Sequence, residues 1–465
     1  MDWQVQFAEV FQQPGSDWNE GGFDVVLANP PYVRQELIKE IKPGLKATYG
    51  DLYSGTADLY VFFYYRALQL LKQGGMLSFI SSNKWFRAGY GAKLRAHIAA
   101  TCHVHSITDF GDLPVFESAT AYPMIFIAAK TVSPDTVTIS TRIGSLEPPY
   151  PNMLALIQEH GQSLPASAMR GSDWALTDAS SVAYLDKMRN AGMPLGQYIQ
   201  GQIYYGIKTG LNEAFVIDSE KRAELIAADP RSAELIKPLV MGKDIGKWRV
   251  DYRDRWLIFT NRGINIDSYP AIKDYLRQWH TQLTPKPRDW STEETWPGRK
   301  PGSYRWYEMQ DEVAYYMVFT RPKIVFPDIT KEPRFAFDTS GAYLGNTGYV
   351  IPLDDKYLLG VLNSSAVKHF YISISAQVRG GYLRFIRQYV EQIPIPQASP
   401  ADRATIAALV QKCLDAQGKG PGILAWEAEI NARVARLYGL TDAETRLLDS
   451  GGAHEAPETD EVIAG

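Results

Sequence analysis

Cysteine is scarce in this chain, with Cys102 and Cys413 alone among 465 residues. Two thiols cannot build a disulfide framework and no Cys-x-x-Cys spacing exists, so a reducing cytoplasm is the expected compartment. Long apolar runs are missing too. None approaches the roughly 18–20 residues that cross a bilayer, and Met1-Asp2-Trp3-Gln4 opens without the basic-then-apolar pattern of a signal peptide. Both absences argue for a soluble chain with no membrane partner. Nor is this a disordered composition, since hydrophobic residues are 45% and charged residues 22%. At about 100–200 residues per domain, the length implies two or three domains.

An excess of positive charge is also lacking, because the net charge is −4. The average conceals an uneven distribution. From Leu440 onward there are seven acids and one base, which leaves the remainder two charges positive. Between Lys356 and Val390 stand Lys356, Lys368, Arg379, Arg384 and Arg387 without one acid. Such a segment can neutralise phosphates whatever the overall charge; it reads equally well as a solvated face. Aromatics, by contrast, are plentiful at 12%, with 27 Tyr and 11 Trp.

The hydrophobic pattern gives an α/β order over residues 1–145. Phe23–Ala28 reads as a short buried strand. Ala57–Leu71 follows as a helix, with Leu59, Phe62, Phe63, Ala67 and Leu70 on one stripe. Next come strand Met76–Ile80, helix Ala92–Ala100 and strands His103–Asp109, Met124–Ala129 and Thr136–Arg142. That alternation predicts one mostly parallel sheet. Residues 146–195 read as linker and connecting helix. Residues 196–398 form an α+β region of short strands among Gly-, Pro-, Trp- and Tyr-rich loops, and residues 399–450 carry two amphipathic helices. Residues 451–465 are an acidic tail expected to be disordered.

Asn29-Pro30-Pro31-Tyr32 directly follows the first strand. A Pro-Pro pair there could be only a rigid turn, but ligands of open α/β sheets bind at the carboxyl ends of strands. The group fits one chemistry well. An exocyclic amine on a base is a poor nucleophile because its lone pair is delocalised into the ring. Two acceptors, the Asn29 side-chain oxygen and the Pro30 carbonyl, can bind both amine hydrogens and support the charge that develops on attack. Pro30 and Pro31 hold that carbonyl without reorganisation, and Tyr32 offers a ring for the base. The cluster Cys102-His103-Val104-His105 alternates its faces and has no second cluster to complete four ligands, so no metal is expected.

With these residues in view, the chain resembles the N6-adenine DNA methyltransferases of type IIG restriction–modification systems, including BREX-associated methylases. Gly22 to Tyr32 resembles the catalytic strand and loop. Ala57-Asp58-Leu59-Tyr60-Val61-Phe62-Phe63 is similar to the helix start beside the S-adenosylmethionine pocket, which implies cofactor contacts from Asp58 and Phe63. Phe63 reads equally as a core residue of its stripe. Asp109-Phe110-Gly111 and Val115-Phe116 resemble the late motif whose aromatic packs on an extruded base, pairing Phe116 with Tyr32; burial is the plain alternative for Phe116. Gly206 to Phe215, Pro238 to Ile245, Leu362 to Ser365 and Gln392 to Pro396 resemble a TaqI-like specificity domain. The likeness implies double-stranded DNA as partner, with Lys208, Thr209, Asn212, Arg379, Arg384 and Arg387 as contacts.

The implied fold is a partial Rossmann-like S-adenosylmethionine-dependent methyltransferase sheet, then an α+β target-recognition domain and C-terminal helices. It is partial because the family's glycine-rich cofactor loop lies upstream of the catalytic strand, and the 28 residues before Asn29 contain no such strand-to-helix turn. The expectation is the C-terminal part of a split or truncated enzyme that needs an N-terminal methyltransferase fragment or partner chain. A nuclease signature is also missing, since Pro327-Asp328 has no Glu-x-Lys nearby. Two other readings use the same residues: a non-catalytic DNA-specificity subunit, and a protein methyltransferase acting on a glutamine amide.

Overall fold

The computed structural model describes residues 2–12, 21–111, 113–116, 122–131, 137–147, 150, 152–164, 166–169, 174, 179–290, 295–375, 377–378, 381–441 and 444–445. Arg379 and the acidic tail, both singled out from the sequence, lie outside these residues. The chain divides into two compact units. One comprises residues 1–186 and 373–380; the other comprises 187–372 and 381–465.

The first unit is built on a six-stranded sheet. Its strands are β1 (Phe23–Ala28), β2 (Leu71–Ser82), β3 (His103–Asp109), β4 (Pro123–Ala129), β5 (Thr138–Arg142) and β6 (Gln162–Leu164), in spatial order β1-β2-β4-β3-β5-β6. The expected mostly parallel sheet is corrected here. β1–β2 and β3–β5 are parallel, but β4 runs antiparallel to both β2 and β3, and β6 runs antiparallel to β5. The described part of the β3–β4 connection holds no helix, and a strand that returns without a crossover helix pairs antiparallel.

Helices α1 (Lys42–Tyr49), α2 (Leu59–Leu70) and α3 (Ala92–Thr101) accompany the sheet. α2 buries Tyr60, Val61, Phe62, Tyr64, Tyr65, Ala67, Leu68 and Leu70. All but Leu70 of these form one core with Leu77, Phe79, Leu94, Ile98, Ile107 and Phe126, each large side chain contributing about 1.5–3 kcal/mol of burial. Phe63 is not part of it. Its side chain is 39% exposed, so the core reading of that residue is set aside.

β1 is an edge strand, paired on one side by β2 in the register Ala28↔Phe79. Val26 and Ala28 pack toward the core. Val25 and Leu27, on the opposite face, are 59% and 77% exposed. Gly22, just before the strand, has φ +147°, and a Cβ there would lie 2.6 Å from the Lys72 nitrogen, so only glycine permits this close approach.

In the second unit, two four-stranded sheets share a core that includes Phe215, Leu239, Leu257, Ile272, Phe319, Val325 and Tyr343. Strand Lys323–Pro327 is antiparallel to both Ala336–Asp338 and Gly348–Ile351. The helices Pro400–Asp415 and Ile423–Leu437 pack on each other and on Lys356–Leu362. The stretch between Leu283 and Tyr315 carries no helix or strand in its described residues. One buried side chain organises it. Arg299 donates to the carbonyls of Leu283, Thr209, Glu308, Arg305 and Trp306, and lies over the Tyr304 ring at 4.5 Å.

Candidate active site

β1 and β2 are adjacent and parallel, so the segments leaving their carboxyl ends emerge side by side. Asn29 to Tyr32 leaves β1, and Asn83 to Phe86 leaves β2 as a single turn of tight helix. Tyr32 ties the two together by donating its hydroxyl to the Ile80 carbonyl at 3.3 Å. Burial pushes that phenol up to about 12, so it stays protonated at neutral pH.

Asn29 is exposed and Pro30 buried. Among the described residues, neither the Asn29 carboxamide nor the Pro30 carbonyl takes part in a hydrogen bond. Two rigidly carried acceptors therefore stand unspent at the end of a strand. The Asn29 carboxamide is open to solvent and can exchange it for a ligand's donor.

The Phe116 ring lies 5.4 Å from the Tyr32 ring at an interplanar angle of 56°, and Tyr60 lies 6.5 Å from Tyr32 on another side. The loop that carries Phe116 is anchored at its start. Asp109 Oδ1 accepts from the Gly111 backbone and from Asn83 Nδ2, both near 3 Å. Gly111 has φ +56°, a conformation that suits glycine. Asn83 carried no signal of its own in the sequence. Its position was the clue, since the polar run Ser81-Ser82-Asn83 ends the strand next to β1.

Asp58 sits at the N-cap of α2 without capping it. Its Oδ1 accepts from the Gln35 backbone at 2.9 Å, while Leu59 donates its N–H to the Val33 carbonyl at 3.0 Å. These bonds pin the chain beyond Tyr32 to the start of α2. Burial raises the Asp58 carboxyl above its ordinary value, partly opposed by the Gln35 bond. Phe63, one helical turn past Tyr60, offers an exposed ring. Asn29, Pro30, Tyr32 and Phe116 thus gather at one end of the sheet, with Asp58 tethered close by.

Five of the six residues picked as DNA contacts are described, and they have different surroundings. Lys208 is half-buried and forms no ion pair among the described residues. Thr209 is buried, with its hydroxyl donating to Asn212 Oδ1 and accepting from the Leu211 backbone. Asn212 is exposed and begins a short helix. Arg384 faces Asp328 at 3.4 Å, and Arg387 is paired with Glu391 at 2.7 Å. Cys102 and Val104 are buried while His105 is exposed, and the rings of His103 and His105 meet edge to face at 4.3 Å. Among the described residues no group of three or more His, Cys, Asp or Glu could hold a metal ion. No described helix is long and apolar enough to cross a membrane.

Comparison with known proteins adds an independent finding. Residues 1–116 match the Eco57I restriction-modification methylase family, and residues 237–395 match the TaqI-like C-terminal specificity domain. The type II methyltransferase M.PaeR7I of Pseudomonas aeruginosa is 29% identical over 461 residues, covering 93% of this chain and 73% of that protein. M.XhoI of Xanthomonas vasicola is 26% identical, covering 92% and 76%. Among solved structures, the type IIL restriction-modification enzyme MmeI, determined in complex with DNA, superposes with a TM-score of 0.61 at 15% identity. That match covers 92% of this chain, which spans 57% of the MmeI chain, and it speaks to fold alone.

Proposed function

The chain joins an Eco57I-type restriction-modification methylase region to a TaqI-like specificity domain, and from that premise we propose that it methylates adenine N6 in DNA, using S-adenosylmethionine as methyl donor. One observation carries the adenine assignment: the unspent Asn29 oxygen and Pro30 carbonyl stand together beside the Tyr32–Phe116 ring pair. Double-stranded DNA is the partner, and the target adenine leaves the helix to reach these groups. Extrusion costs a few kcal/mol, which stacking on Tyr32 and Phe116 offsets in part.

The two acceptors bind the two N6 hydrogens and favour the pyramidal amine, whose lone pair then points away from the ring. That lone pair attacks the methyl carbon of the sulfonium in line as the carbon–sulfur bond breaks. S-adenosylhomocysteine departs, and the nitrogen sheds one proton to solvent. No general base of raised strength is needed, because the alkylated amine is strongly acidic before it loses that proton.

Asp58 and Phe63 are the residues of this chain that would help hold the methyl donor, the carboxylate as a polar acceptor and the exposed ring as a stacking surface for an adenine. Among the described residues no glycine-rich turn links a strand to a helix at this sheet end to hold the rest. Among the described residues no strand pairs with the outer edge of β1, and one of its faces leaves Val25 and Leu27 exposed, which supports the further reading that an added methyltransferase segment or partner chain docks there and completes the donor site. Isothermal calorimetry on the chain alone tests this. Binding weaker than the micromolar range is expected, and micromolar binding contradicts incompleteness. If the chain instead serves only to recognise DNA, mixing it with an N-terminal methylase fragment will give no Asn29-dependent methylation.

A further inference from the structure

Two cations at the mouth of this site have no assigned work. Arg34 follows Tyr32 by two residues. Its neighbours are fixed, with Val33 packed on the core and hydrogen-bonded to Leu59, and Gln35 bonded to Asp58. Arg34 itself is exposed. Lys84 lies in the turn that leaves β2, between Asn83, which is tied to Asp109, and Trp85, which is fully buried. Its backbone is held by Ser82 Oγ and its ammonium lies 5.2 Å from the centre of the Tyr122 ring. Among the described residues neither cation comes within ion-pair distance of an acid. They lie on the two segments that leave the adjacent, parallel strands β1 and β2; burial, then the charge of Arg34, lowers the Lys84 ammonium, while Asp58 partly restores it. The other charges facing them are Glu36, which feels Arg34 and Lys42, and Asp58 itself.

Two like charges carried on the backbone segments that flank the Tyr32–Phe116 ring pair are complementary to one anion placed between them. The extruded nucleotide would bring one, because its base cannot reach Asn29 without carrying its phosphodiester close to the same ring pair. We propose that Arg34 and Lys84 grip the backbone phosphate adjoining the extruded base, holding the flipped strand while the base occupies the Tyr32 site. This rests on the base-extrusion reading of that site. It assigns Arg34 and Lys84 to binding and positioning, and leaves the methyl-transfer step to Asn29 and Pro30.

The test is the salt dependence of DNA affinity for the full chain, measured by fluorescence anisotropy on duplexes carrying a site mapped in cells. Arg34→Ala/Lys84→Gln is expected to weaken binding about tenfold at low salt and to flatten the slope of log affinity against log salt by about 1. Arg34→Lys/Lys84→Arg keeps both charges and is expected to keep the slope. A duplex with a neutral methylphosphonate beside the target adenine should erase the difference between wild type and the neutralised variant. An unchanged slope, an undiminished difference on the methylphosphonate duplex, or failure of the chain to bind the mapped duplex overturns the proposal. Digestion of modified DNA to nucleosides reads the base chemistry separately. A product other than N6-methyladenine would sink the adenine reading while the slope still reports on the phosphate grip.

Discussion

Removing the Phe116 ring probes the base site without touching either hydrogen-bond acceptor. Tyr32 and Phe116 are now 5.4 Å apart and inclined by 56°. A base sandwiched between two rings needs about 7 Å, which is two carbon contacts of about 3.5 Å each. Phe116 must therefore swing outward by about 1.5 Å and turn toward parallel. Asp109, bonded to Gly111 and Asn83, holds the start of the segment that carries this ring. Stacking of one base on one aromatic ring is worth about 1–3 kcal/mol. Phe116→Ala should then lower kcat/KM for DNA by about 5- to 150-fold, whereas Phe116→Tyr, which keeps the ring, should stay within about threefold of wild type. The assay is transfer of tritiated methyl groups to unmodified plasmid DNA by the chain together with any completing segment. Thermal melting serves as the check on folding. A folded Phe116→Ala protein within twofold of wild type would refute the stacking role.

Three further outcomes follow from packing and charge. Arg299→Met leaves five backbone carbonyls without their donor; it should cost about 3–5 kcal/mol and lower the melting temperature by about 10 °C in differential scanning calorimetry, and a loss under 2 °C would show that the loop does not depend on this residue. Lys323 and Asp338 form a buried pair at 2.6 Å. Burial alone would raise the Asp338 carboxyl, but Lys323 and Ser340 outweigh it and hold the group below its ordinary 3.8. The pair's stabilisation is therefore present above about pH 4 and lost as pH falls through the lowered value. Lys323→Met should destabilise by about 3–5 kcal/mol at pH 7, with the gap to wild type narrowing below pH 4; a gap independent of pH contradicts the assignment. Leu27→Glu should leave the melting temperature of the chain unchanged, because the side chain is already exposed. It should nonetheless block reconstitution of methyl transfer by an added N-terminal fragment, and full reconstitution would show that the exposed face of β1 is not the docking surface.

What could be read from the sequence depended on whether the cause was local. Phe23–Ala28 is an apolar run bounded by glycines and Asn-Pro-Pro, so the strand and the position of Asn29 at its end followed from neighbours in the chain. The bounds of His103–Asp109 are similarly local. The insertion of β4 between β2 and β3 was not legible. Buried strands read alike whether parallel or antiparallel, and their order is settled by contacts between distant residues. Phe63 looked like part of its stripe because the 3.6-residue period cannot say how wide a face the sheet will cover. The proximity of Phe116 to Tyr32 came from family likeness, since no periodicity links residues 84 positions apart. Arg299 gave no signal at all, because it acts through backbone carbonyls that every sequence possesses. Thr209 was singled out by its motif, yet its hydroxyl serves the turn that Gly210, at φ +84°, allows.

The claim on which the rest depends is that Asn29 and Pro30 hold the reacting amine. Asn29→Ala tests it most directly, scored by mass spectrometry of nucleosides from DNA treated with the chain and whatever segment completes its donor site. Asn29 is exposed and bonded to no described group, so the variant should melt at the wild-type temperature while N6-methyladenine formation falls by about 10²-fold or more, the usual cost of one lost transition-state hydrogen bond of this kind. N6-methyladenine accumulating at the wild-type rate in that variant would contradict the account.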